Sequence, residues 1–150
     1  MNKNELIAQV ESRRDQIEAI LARQTPEQLD RKIQGDWSFK DTLAHIAFWD
    51  GELVDLLELA VRGVSVTPQV EDDDTINARV YHANRGRPLT DVAADFRQVY
   101  QRLLDHLAQL SDEQLNMPSP TAKNWILASH VIDNMQHVDE HLAPIAALNA

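Results

Sequence analysis

Apolar residues recur at helical spacing through four long segments of this chain, while glycine occurs only four times in 150 residues. That combination leaves little room for anything but packed helices. The first segment runs from about Lys3 to Gln24, with Leu6, Val10, Ile17 and Leu21 on one stripe. The second runs from about Phe39 to Arg62, with Ile46, Leu53, Leu57 and Ala60 in register. Ser38 and Asp41 stand at capping-box spacing at its start, and Gly63 supplies a stop. The third, from about Thr90 to Leu110, carries Val92, Phe96, Val99, Leu103, Leu107 and Leu110. The fourth, from about Asn124 to Leu148, carries Val131, Met135, Val138 and Leu142. Pro144 is expected to kink this last helix or end its regular part near Ala143. Runs of β-branched residues are short, so strands have little support.

The connections refine the picture. Thr25-Pro26-Glu27-Gln28-Leu29 reads as a short capped turn, a Thr cap followed by Pro at the first helical position. Residues 63–88 form a longer connection, with Pro68, the acidic run Glu71-Asp72-Asp73-Asp74 and a short helix from Thr75 to about Asn84. Arg85-Gly86-Arg87-Pro88 breaks that helix. Four amphipathic helices with modest loops make a bundle. The long connection can carry the chain across the bundle instead of straight back. The expected fold is therefore all-α, a four-helix bundle with a long crossover between its second and third long helices, in one domain over residues 1–150. A chain of this length buries roughly 70% of its unfolded surface. There is also an internal echo: Leu21–Leu29 resembles Leu107–Leu115, and Trp37 precedes His45 much as Trp125 precedes His130.

Charge and composition exclude several classes. The net charge of −10 and the scattering of 14 basic residues oppose nucleic acid and anionic membranes, which need clustered Lys and Arg. No stretch approaches 18 apolar residues, and the charged N-terminal stretch has no apolar run behind it, so the cytoplasm is the expected location. With no cysteine, disulfides and thiolate-bound zinc are ruled out. G-x-S-x-G, H-E-x-x-H and a Gly-rich phosphate loop are missing as well.

Six histidines remain as the chemistry-bearing groups. At about 100° per residue, His130, Asn134, His137 and His141 fall in one sector of the fourth helix, bordering its apolar stripe. On the second helix His45, Trp49, Glu52 and Leu56 share a side. His137 and His141, at i and i+4, can both reach one ion, and His45 is the natural third ligand from a facing helix. Three imidazoles leave a fourth position open, as in catalytic rather than structural zinc sites. Glu52, two turns beyond His45, is a candidate general base or supporting partner. Solvated histidines on acidic surface helices produce the same spacing, so spacing alone leaves both readings open. His82 and His106 receive no role, and the tryptophans read first as packing residues.

Asp36-Trp37-Ser38-Phe39-Lys40-Asp41-Thr42-Leu43-Ala44-His45-Ile46-Ala47-Phe48-Trp49 resembles a signature of the DinB-like superfamily, W-S-x-K-D-x-L-A-H-I-x-x-W. His137-Val138-Asp139-Glu140-His141-Leu142 resembles the H-x-x-E-H-L ending of the same superfamily. Ile76–Tyr81, Arg87-Pro88-Leu89 and Asp95-Phe96-Arg97 look like its ClbS/DfsB branch. The resemblance implies a four-helix bundle with a long crossover, often a homodimer. It also implies a divalent metal, zinc or nickel, on His45, His137 and His141. The superfamily holds thiol-dependent S-transferases, a mycothiol-dependent isomerase and resistance proteins that hydrolyse a reactive cyclopropane toxin.

The functional expectation is thus a divalent-metal-dependent enzyme, of hydrolase or thiol S-transferase type, acting on a small electrophilic molecule. Glu52 or His130 would move the proton, and Trp49 and Asn134 would line the substrate pocket. Two alternatives stand beside it: a metal-free binding or self-resistance protein of the ClbS/DfsB type, and a helical dimer without catalytic activity.

Overall fold

The computed structural model describes residues 2–122 and 124–148. Its elements in chain order are α1 (Lys3–Arg23), α2 (Pro26–Leu29), β1 (Lys32–Gln34), β2 (Trp37–Ser38), α3 (Phe39–Val61), α4 (Asp73–Asn84), α5 (Leu89–Gln109), α6 (Asp112–Leu115) and α7 (Leu127–Leu148). The long helices α1, α3, α5 and α7 form the bundle: α3 packs on α5 and α7, and α1 packs on the same two.

Polar contacts fix the helix directions. Lys40 donates to the carbonyls of Arg85 and Arg87 at the head of α5, both at 2.8 Å, and Asp55 accepts from Arg102 further along both helices. α3 and α5 are therefore parallel, which requires the connection between them to travel the length of the bundle. His45 faces His137 and Asp50 faces Asn134, so α7 runs against α3. Lys3 reaches Ala108 and Glu18 pairs with Arg97, so α1 runs against α5.

Side chains from all four long helices fuse into one continuous core, in which Leu6, Ile17, Leu43, Leu57, Phe96, Leu107, Leu127 and Met135 lose nearly all their exposure. Each such burial contributes about 1.5–3 kcal/mol. Leu21 and Val99 are half-buried at its margin, and Tyr100 takes the core position beside Phe96. The caps expected at Thr25 and Ser38 are present, and two more stand at Asn2 and Ser111. Asn2, Thr25, Ser38 and Ser111 each form a reciprocal capping box. Gly63, at φ 68°, follows the end of α3.

Three local features differ from the sequence reading. A two-stranded antiparallel hairpin precedes α3, with Gln34 opposite Trp37 and Gly35 at φ 60° in its turn. Its strands have three and two residues, too short for alternation to show. α7 begins at Leu127 rather than Asn124, because Asn124 takes a left-handed conformation (φ 66°) and Ile126 bridges to Pro118. Pro144 does not end α7, which continues to Leu148. So close to the helix end, the missing N–H removes one ladder bond, and Ile145 keeps its buried place in the core.

The echo between the two halves has a structural counterpart. α2 and α6 are both four-residue capped helices. Trp37 lies 5.0 Å from His45 between ring centroids, and Trp125 lies 4.9 Å from His130.

Candidate metal centre

His45 sits on α3 and faces α7, where His137 and His141 are one turn apart. His45 Nε2 is 3.3 Å from His137 Nε2, which is 2.9 Å from His141 Nε2. A ligand atom from each of the three lies within 4.8 Å of the others, so together they can hold a metal ion. Three nitrogens at 2.0–2.1 Å from a tetrahedral ion stand about 3.3–3.4 Å apart. One observed separation matches that spacing and the other is a few tenths of an ångström shorter, so the donor set fits such an ion.

Electrostatics prepare the same result. Burial, then the neighbouring His141 and His137, push His45 down to about 3, with the adjacent Asn77 amide opposing. Burial, then His137, push His141 down to about 4. Both are neutral imidazoles at pH 7, the form that offers a lone pair to a metal. Gln34 Oε1 stands 3.0 Å from His141 Nδ1. Trp37, delivered by β2, packs against His45 and lies near-parallel to His141 at 6.5 Å.

Two cavities flank the histidines. One of ≈460 Å³ is lined by His45, Trp49, Asn77, Asp133, Asn134, His137 and Glu140, among others. The other, ≈620 Å³, has Trp37, Tyr81 and His82 in its wall together with all three histidines. Trp49 and Asn134 therefore share a cavity with His45 and His137. Trp49 Nε1 donates to Asn77 Oδ1 at 2.8 Å, which ties α3 to α4.

Glu52 and His130 stand elsewhere. Glu52 is exposed and lines a larger cavity of ≈720 Å³ with Trp49, Asp55, Leu56 and residues 65–69. Burial, then Asp55, raise its pKa. The i+7 step carries it two turns along α3, past the end of the histidine cluster. His130 Nε2 lies 2.7 Å from Ser119 Oγ and its ring packs on Trp125, so it braces the loop ahead of α7.

Asp50, Gln34 and Asn77 belong to the site's surroundings and were not anticipated. Asp50 is 1% exposed, accepts from Asn134 and adjoins Tyr100. Burial pushes its carboxyl up to about 7, with the neighbouring Tyr100 and Asn134 side chains opposing. A signal for it existed: a carboxylate between Ile46 and Leu53 interrupts the apolar stripe of α3.

Residues 9–145 match the sequence profile of the DinB superfamily, a span that includes the three clustered histidines. The chain belongs to the DinB superfamily. The match concerns this superfamily as a whole and not its ClbS/DfsB branch. No curated protein matches the chain closely. Among the described residues, no helix of this DinB-superfamily chain is long and apolar enough to cross a membrane.

Proposed function

We propose that this chain is a divalent-metal-dependent enzyme, of hydrolase or thiol S-transferase type, acting on a small electrophilic molecule. The observation that carries this reading is the convergence of three Nε2 atoms, two of them on imidazoles held neutral, at the wall of an open cavity of ≈620 Å³. Imidazole ligands suit zinc and nickel alike, and a three-nitrogen set with one side open suits tetrahedral zinc best. The ion, when bound, supplies Lewis acidity at that open side. Trp49 forms a flat wall for the substrate, held in place by Asn77. Asp133 and Glu140 share the ≈460 Å³ cavity with His45 and His137 and are better placed to accept a proton than Glu52 or His130.

A metal-free binding protein is the second reading. The 2.9 Å between His137 and His141 is also a hydrogen-bond length, at which one imidazole donates to the other without an ion. The two readings separate by metal analysis of protein purified without a metal-binding tag, alongside His45→Ala and His141→Ala. Near-stoichiometric metal lost in both variants supports the enzyme and calls for a hydrolysis and thiol-transfer screen. No metal after reconstitution with zinc and nickel overturns it in favour of metal-free binding.

A further inference from the structure

The two cavities that flank the histidines share walls with each other, and one of them shares walls with the larger cavity of Glu52. Trp49 and Gln69 line both the ≈720 Å³ and the ≈460 Å³ cavities, and His45, Asn77 and His137 line both the ≈460 Å³ and the ≈620 Å³ cavities. Among the described residues, no Lys or Arg lines any of the three, although the chain carries 14. A fourth cavity, on the other side of α4, does hold Arg79 and Arg87. Nearby basic side chains, such as Lys32 on Asp36, are engaged by carboxylates rather than lining these cavities.

Acceptors take their place. Among the described residues, the ion pairs engage Glu18, Asp55, Glu71, Asp95 and Asp139, among others, but neither Asp133 nor Glu140. Both of these carboxylates are exposed and line the cavity of His45 and His137. Asn134 lies between them and the core. One of its two amide N–H groups is committed to the buried Asp50, which leaves its carbonyl oxygen and the second N–H for the cavity. His45 opens on the same cavity at 4% exposure, beside the Asn77 amide.

We infer that this pocket selects small molecules bearing an ammonium or amidinium group, which Asp133, Glu140 and the Asn134 carbonyl accept while Trp49 packs on the remainder. The inference rests on the histidine cavity being the functional site. A cleft lined by one sign of charge concentrates the opposite sign, and an indole face adds attraction for a cation. Anionic ligands meet carboxylates in this cavity, and among the described residues no guanidinium or ammonium lines it.

The test uses the full chain, loaded with zinc where zinc binds and as purified otherwise. Benzylammonium, benzyl alcohol and benzoate are titrated while the Trp49 indole N–H is followed by NMR, assigned with Trp49→Phe. The expected result is that benzylammonium shifts this signal with at least ~10-fold higher affinity than benzoate. The Asp133→Asn/Glu140→Gln double variant is expected to lose that preference while keeping its fold and its ion. Equal affinities, a preference for benzoate, no shift with benzylammonium, or a preference that survives in the double variant would each overturn the inference. So would loss of the ion from the double variant, which would assign the carboxylates to the metal. Metal analysis of the same samples separates the two proposals. A cation preference in metal-free protein sinks only the metal reading, and bound metal without the preference sinks only this one.

Discussion

Gln34 Oε1 accepts the Nδ1–H of His141 at 3.0 Å, and this contact reaches from the hairpin to the last turns of α7. An imidazole that donates from Nδ1 keeps its lone pair on Nε2, the atom that faces His137. The hairpin therefore sets the tautomer of a candidate ligand, as partners of metal-bound histidines generally do.

Gln34→Ala is expected to weaken zinc affinity by about 10-fold with little change in melting temperature. Gly35→Ala has a second effect. Its φ of 60° costs an L-residue about 1–2 kcal/mol, so stability falls together with affinity. Chelator competition and thermal unfolding read the two quantities. Unchanged affinity in Gln34→Ala would show that the hairpin does not position His141.

Acid should remove the metal late. With His45 near 3 and His141 near 4, protons compete weakly for these nitrogens. An ordinary histidine site loses its ligands to protons near pH 6.5. Here bound metal is expected to persist to a lower pH than at such a site. Without metal the sign is set by linkage: both folded pKa values lie below the unfolded one, so their contribution is complete above about 6.5 and is lost as pH falls. Metal content measured across pH decides this, and release centred at pH 6 or higher contradicts it.

Asp50 acts in the opposite sense. Its folded pKa of about 7 lies above the ordinary 3.8, so the folded state holds a proton that the unfolded chain has released. Its contribution to stability is therefore greatest below about pH 4, declines as pH rises to 7 and stays low above. The span is at most on the order of 4 kcal/mol. Asp50→Asn keeps the shape and removes the titration. Its stability relative to wild type should rise between pH 4 and pH 7, as followed by urea unfolding. Parallel pH profiles for the two proteins would refute a buried, protonated Asp50.

His130 gives a contrast. Ser119→Ala removes its 2.7 Å partner and should cost about 1 kcal/mol. His130→Ala should leave metal content unchanged. Metal lost from His130→Ala would put this histidine back among the functional ones.

Most of the bundle was legible in the sequence because its information lies in long periodic stretches. Val131, Met135, Val138 and Leu142 each repeat one instruction, and all four are buried. The hairpin was not legible, since five residues cannot display a period and their side chains are mostly polar, although Gly35-Asp36 is a turn pair. The histidine trio could be assembled because i,i+4 spacing is a local rule and the motif around His45 is distinctive. Gln34 and Asn77 could not, because each meets its partner across a turn or a crossover that no short-range pattern encodes. Glu52 and His130 show the limit of the helical wheel. Each shares a sector with true members of the cluster and stands at the wrong height along the axis.

The crossover gives the parallel pairing of α3 and α5 a consequence of its own. Ile76 and Val80 anchor α4 outside the continuous core, while Asn77 and residues 65–69 wall the cavities. The three histidines stand on the bundle, whose packing tolerates little change, and much of the shape above them is cut by a segment the core does not need. The shape of the cavities can thus be rewritten in one stretch of chain while the histidine cluster on the bundle keeps its place.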